Sequence, residues 1–140
     1  MSVPDDVMPI VRAARIIAVV GLSPNPERPS HGVATYLQGQ GYRIIPVTPR
    51  GGTILGEAAF PDLRAAAAAV APEPIDIVDI FRRPEYVAEL LPDLLAIGPK
   101  LVWLQLGIRD DATAARLEAA GIAVVQDHCL AVEHTLRARR

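Results

Sequence analysis

Ser23, Asn25, Arg28, Ser30 and His31 crowd behind Gly21 in the stretch VVGLSPNPERPSHG. They supply hydroxyl, amide, guanidinium and imidazole groups at the point where an apolar run stops. Groups of this kind hold anions, and a guanidinium grips a phosphate through two parallel hydrogen bonds. Similar residues follow each later apolar run: Thr48 and Arg50, then Arg82 and Arg83, then Gly107 and Arg109, then His128 and Cys129. Acids are scarce in these segments. The chemistry this points to is capture of a small molecule bearing several phosphates. Hydrolysis is not indicated, because no G-x-S-x-G elbow accompanies the serines and histidines. An ATPase is not indicated either, because the G-x-x-x-x-G-K-[ST] loop is absent.

Such residues need a scaffold that brings loop to loop, and the apolar pattern provides one. RIIAVVG (15–21), YRIIPVTP (42–49), IDIVDIF (75–81), KLVWLQLG (100–107) and IAVVQD (122–127) read as five short strands. Near-continuous apolar runs of this length suit a parallel sheet buried on both faces. SHGVATYLQGQG (30–41), PDLRAAAAAVA (61–71), RRPEYVAELLPDLLAIG (82–98) and DDATAARLEAAG (110–121) read as helices, with CLAVEHTLRARR as a closing helix or tail. Ser30 is expected to cap the first of these and Gly41 to end it. Pro92 is expected to bend the third. GGTILGEAAF (51–60) reads as a turn with a short extra strand. Alternation of strand and helix predicts one α/β domain over 1–140, core about 15–136, with a doubly wound parallel five-stranded sheet in three layers. Strand order 3-2-1-4-5 is the first expectation, and 2-1-3-4-5 the alternative. Pro46 argues for a strand free of pairing at that point.

In open α/β sheets ligands sit at the carboxyl ends of the strands, where the strand order reverses. The loop arginines gather there, on a chain whose formal charge is only −2. That balance gives no reason to expect nucleic-acid binding. Of the 14 basic residues only Lys100 is lysine. A dinucleotide fingerprint needs two more glycines after Gly21, and Ser23 and Pro26 stand there instead. The second strand also ends in PVTPR, without the acid that holds NAD ribose hydroxyls. Arg50 suits the ribose phosphate of NADP and equally the 3′-phosphate of coenzyme A. No apolar run approaches the roughly 20 residues of a membrane span, and the N-terminus lacks an apolar signal core. A cytoplasmic protein, monomeric or homodimeric, is expected, with a small-molecule partner and no membrane or nucleic-acid partner.

VVGLSPNPERPSHGVATYLQGQGYRIIPVTP, ILGE, IDIVDIFRRPE, VWLQLGI and DHCLAVEH, in this order and spacing, resemble the small CoA-binding proteins. These have a single Rossmann-like domain related to the CoA-binding domain of the succinyl-CoA synthetase alpha subunit. The resemblance runs from Ile16 to about His134. It implies coenzyme A or an acyl-CoA as ligand. Gly21, Leu22, Ser23, Pro24 and Arg28 would hold the diphosphate, with Ser30, His31 and Gly32 opening the helix behind them. Val47, Pro49 and Arg50 would lie near the adenosine and its 3′-phosphate. Phe81, Arg82 and Arg83 would lie along the nucleotide, and Gln105, Leu106 and Gly107 would line the path of the pantetheine arm. The chain lacks the phosphohistidine segment of the synthetases, so binding without ligase chemistry is implied. An NADP-binding oxidoreductase and a ligand-free scaffold or regulatory subunit are the alternatives.

The single cysteine, Cys129, rules out an internal disulfide framework. It reads as a small buried apolar residue, or as a thiol at a helix start that could meet the thiol end of coenzyme A. His128, Cys129, Glu133 and His134 are metal-ligand types, but adjacent residues splay apart. They read as helix start and helix surface, with no metal site. Trp103 reads as core or interface.

Overall fold

The computed structural model describes residues 3–138. Strand β1 (Ile16–Val20) is five apolar residues, all buried, and it lies inside a five-stranded parallel sheet. The remaining strands of that sheet are β2 (Arg43–Val47), β5 (Ile77–Ile80), β6 (Leu101–Leu104) and β7 (Ala123–Val125). The order is β2-β1-β5-β6-β7. This replaces the expected 3-2-1-4-5 with the alternative 2-1-3-4-5. The reason is legible in Pro46, which lacks an N–H and suits an edge strand. Under the first expectation β2 would have been internal.

The free flank of β2 is partly covered. A small antiparallel hairpin, β3 (Thr53–Ile54) and β4 (Glu57–Ala58), leads into Phe60. Phe60 forms a parallel bridge with Val47, its N–H donating to the Pro46 carbonyl at 3.0 Å. The Thr48 N–H donates to the Phe60 carbonyl at 2.8 Å.

Helices cover both faces, and residue alternation along the strands divides the core in two. Ile17, Val19, Ile44, Ile77 and Trp103 pack under α1 (Met8–Ala13), α2 (Pro29–Gly39) and α7 (Leu130–Glu133). Ala18, Val20, Ile45, Val78, Ile80 and Val102 pack under α3 (Leu63–Val70), α4 (Pro84–Val87), α5 (Leu91–Ile97) and α6 (Asp111–Ala119). The single helix expected over 82–98 is two, joined by a 3₁₀ turn at Ala88–Leu90. Pro92 falls in the first turn of α5, where its missing N–H costs nothing. Asp62 and Asp110 cap α3 and α6, accepting from the backbone N–H groups of Ala65 and Thr113.

Helix α1 has no counterpart in the apolar pattern. Six residues are too few for a periodic signal, but tertiary contacts hold them. Val11 is fully buried, and its carbonyl, left over at the helix end, accepts a hydrogen bond from the Tyr42 hydroxyl at 2.5 Å. Arg137 pairs with the Asp5 carboxylate and donates to the Val3 carbonyl, tying the two ends of the domain together. Tyr42→Phe leaves that Val11 carbonyl unpaired in a buried site. It is expected to cost about 1–2 kcal/mol in urea denaturation with an unchanged slope. A midpoint matching wild type would show that the bond carries no net stability.

Candidate functional site

The chain passes from β1 to β2 on one side and later returns to β5 on the other side of β1, so the strand order reverses between β1 and β5. The loops leaving these two strands at their carboxyl ends, beginning at Gly21 and Phe81, part here and leave a cleft of about 440 Å³. Gly21 turns the chain at φ +83°. Its N–H donates to the Val47 carbonyl at 2.9 Å, and the Phe81 N–H donates to the Val20 carbonyl at 2.8 Å. The backbones are so close that a Cβ on Gly21 would stand 2.3 Å from the Phe81 carbonyl oxygen.

Gly21, Leu22, Ser23 and Pro24 form one wall, and Arg28, Pro29 and Ser30 continue it. Thr48, Arg50 and Phe81 close the other sides. The loop is stiffened by its own side chains. The Ser23 N–H donates to Ser30 Oγ at 3.0 Å, the Asn25 N–H to Ser23 Oγ at 3.1 Å, and the Glu27 N–H to Asn25 Oδ1 at 3.0 Å. Ser30 therefore does not cap α2. Arg28 holds the cap position, without a side-chain cap bond, and the buried Ser30 hydroxyl is spent on the loop. Because several loop N–H groups are already satisfied, the cleft offers an anion mainly guanidinium groups.

Not every loop arginine converges there. Arg28 and Arg50 line the cleft, and among the described residues neither forms an ion pair. Arg82 pairs with Glu89 at 3.6 Å and lies over the Tyr86 ring at 5.6 Å. Arg83 is exposed at the start of α4, outside the cleft lining. Arg109 pairs with Asp111 at 3.0 Å and lines a different hollow, between β7 and α6. Of the expected rim of arginines, Arg28 and Arg50 line this cleft, while Arg82 and Arg109 pair with acids in the elements that follow.

The other anticipated residues are spread more widely. His31 sits in the first turn of α2, its Nδ1 3.4 Å from the Thr35 hydroxyl, and Gly32 is exposed beside it. Val47 is a core residue whose carbonyl anchors Gly21, and Pro49 is exposed between Thr48 and Arg50. Gln105 is buried and donates from Nε2 to Asp79 Oδ1 at 2.6 Å. Leu106 is 67% exposed, and the Gly107 N–H donates to Asp127 Oδ1 at 2.6 Å. Cys129 is half-buried at the start of α7. His134, expected on a helix surface, is buried, with its Nδ1 2.9 Å from the Tyr36 hydroxyl. Trp103 is core, and its indole N–H donates to the His128 carbonyl at 2.8 Å.

Asp79 is the residue that loop position could not reveal. It is a fully buried acid on β5, in register with Val19 and Trp103. Its Oδ2 has no hydrogen-bond partner among the described residues. Burial pushes its pKa up to about 7, and the Gln105 hydrogen bond offsets part of that rise. The sequence does carry a signal: one acid inside the apolar run IDIVDIF, with alternation placing it among Ile77 and Phe81.

Two further hollows, of about 490 and 590 Å³, lie at the β7 edge and at the amino ends of the strands. Neither lies where the strand order reverses. A parallel sheet with a guanidinium-lined crevice at its reversal point is the architecture of a Rossmann-like α/β domain. The chain belongs to the CoA binding domain family, whose model matches residues 15–135. It is 34% identical over 131 residues to YneT of Bacillus subtilis (strain 168), described as an uncharacterized protein, covering 94% of this chain and 93% of that one. A solved structure from Thermus thermophilus, cell-free ID.343, is 43% identical with a TM-score of 0.87, covering 96% of this chain and 98% of that one. The dinucleotide-forming acetyl-coenzyme A synthetase 1 of Ca. Korarchaeum cryptofilum shares the fold, with a TM-score of 0.69 at 18% identity. That match covers 87% of this chain and 27% of the synthetase. No helix among the described residues is long and apolar enough to cross a membrane.

Proposed function

We propose that the chain binds coenzyme A or an acyl-CoA in the cleft between Gly21 and Phe81 and carries no ligase chemistry of its own. The observation that supports this most is the pair Arg28 and Arg50, without acid partners among the described residues, on one cleft at the strand-order reversal. The cleft volume of about 440 Å³ lies in the range usual for small-molecule sites. In this reading Arg28, with the Gly21–Pro24 wall and Ser30, meets the diphosphate. Arg50 meets the 3′-phosphate, and Phe81 lies along the adenosine. The loop at Gln105, Leu106 and Gly107, and Cys129 beyond it, lie toward the pantetheine arm. The protein acts in the cytoplasm on a small molecule, as a monomer or homodimer.

Coenzyme A is expected to raise the melting temperature more than dephospho-CoA does, because each charge-assisted hydrogen bond is worth about 1.5–3 kcal/mol. In Arg50→Ala the two ligands should become equivalent. Equal shifts with the wild-type protein would remove Arg50 from the 3′-phosphate. Stabilisation by NADPH exceeding that by coenzyme A would replace this reading with a reductase.

A further inference from the structure

Asp79 stands on β5 with Val19 of β1 on one side and Trp103 of β6 on the other, all three fully buried. Two residues beyond Val19 the chain becomes Gly21, and two residues beyond Asp79 it becomes Phe81, both cleft walls. At about 3.3 Å per residue the carboxyl lies roughly 7 Å along the strands from the cleft floor. Val20 and Ile80, in that interval, face the other side of the sheet, and on the side that Asp79 shares with Val19 and Trp103 the apolar cluster that includes Leu22 is buried. One carboxyl oxygen is held by Gln105, and the other is without a partner among the described residues.

We infer that a polyanion entering this cleft draws one proton from solvent onto the Asp79 carboxyl, so that its affinity rises as pH falls. The inference rests on the cleft being the ligand site. Like charges separated by a low-dielectric layer disfavour the ionised carboxylate. A diphosphate with a further phosphate monoester carries more negative charge than Arg28 and Arg50 neutralise. The proton goes to a carboxylate oxygen, no other bond forms or breaks, and at most one proton is taken up per ligand. The carboxyl is poised for this, since burial already brings its titration to about pH 7.

Other ionisable groups surround this face. From α2 they are His31 and Tyr36, and from α1 Arg12. From α7 and the turn after it come Cys129, His134 and the Glu133–Arg137 ion pair. Tyr42 precedes β2, His128 follows β7, and Arg28 stands at the cleft. The hydrogen bond that Asp79 accepts comes from Gln105, and its titration is set by burial and by that bond, with no charged neighbour contributing.

The test is calorimetric titration of coenzyme A near pH 7 in buffers of different ionisation heat. Wild-type protein is expected to take up a fraction of a proton that Asp79→Asn does not. Affinity should gain several-fold between about pH 8 and pH 6.5 in wild type relative to the variant, within the limit of tenfold per pH unit for one linked proton. The ligand's 3′-phosphate titrates in the same window, so the difference between the two proteins is what is read. Asp79→Val gives the same reading should the asparagine variant fail to fold. Coenzyme A binding with no uptake in wild type, or with equal uptake in the variants, overturns the inference. Absence of coenzyme A binding at every pH overturns the ligand reading alone. Inorganic pyrophosphate is then the probe, and its failure to bind, or its binding without Asp79-dependent uptake, overturns the inference too.

Discussion

Replacing Gly21 with alanine is expected to destabilise the domain by about 3 kcal/mol and to lower its melting temperature by roughly 10 °C. Two penalties combine. An L-residue at φ +83° is strained, at about 1–2 kcal/mol. The new methyl would also stand 2.3 Å from the Phe81 carbonyl oxygen, which belongs to backbone and not to a movable side-chain tip. Relief requires β1 and β5 to part at the place where the cleft opens. Ligand-induced stabilisation should therefore fall together with intrinsic stability. Urea denaturation checks the first effect, and the coenzyme A melting shift checks the second. Wild-type values for both would mean that the two loops are less tightly apposed than described.

The second large effect is a loss of stability on the alkaline side that one substitution removes. The folded protein holds the Asp79 proton up to about pH 7, whereas the unfolded chain releases it near 3.8. Between these values the unfolded state binds fewer protons, so stability falls as pH rises. The contribution is whole below about pH 4 and gone once pH has risen through 7. Its ceiling is about 4 kcal/mol, since each tenfold change in proton affinity is worth about 1.36 kcal/mol. Asparagine imitates the neutral acid, keeping an oxygen for Gln105. The advantage of Asp79→Asn over wild type should grow by about 2–3 kcal/mol between pH 5 and pH 8, in urea midpoints measured at both. Parallel pH profiles for the two proteins would show that Asp79 does not ionise within the folded state.

The element alternation is plain in the sequence because buried parallel strands are nearly uninterrupted apolar runs, as IIAVV of β1 is. Strand order is less so. Periodicity says which face a residue takes and not which strand lies beside it, and the one directional clue is Pro46. The site divides in the same manner. Gly21, Ser23, Arg28 and Arg50 are readable because loop position and side-chain type suffice. Arg82 and Arg109 follow strands as Arg28 and Arg50 do, but they stand outside the cleft lining and pair with Glu89 and Asp111 in the elements that follow, partners that loop position alone does not reveal. Ser30 looks like a cap by its place in the chain, but Pro29 starts the helix one residue earlier. His134 lies near the end of the chain and still turns inward, because Tyr36 and Tyr42 frame it edge-on with ring centroids 5.5 Å away.

The register that sets Trp103 beside Asp79 gives the domain its own optical gauge. The chain has a single tryptophan, sealed in the middle of the sheet with its indole N–H bonded to a carbonyl. Its emission reports on one place only: the half of the core under α1, α2 and α7, next to the buried acid. A blue-shifted spectrum belongs to the intact domain and a red-shifted one to the opened chain, with no second fluorophore of its kind to blur the contrast.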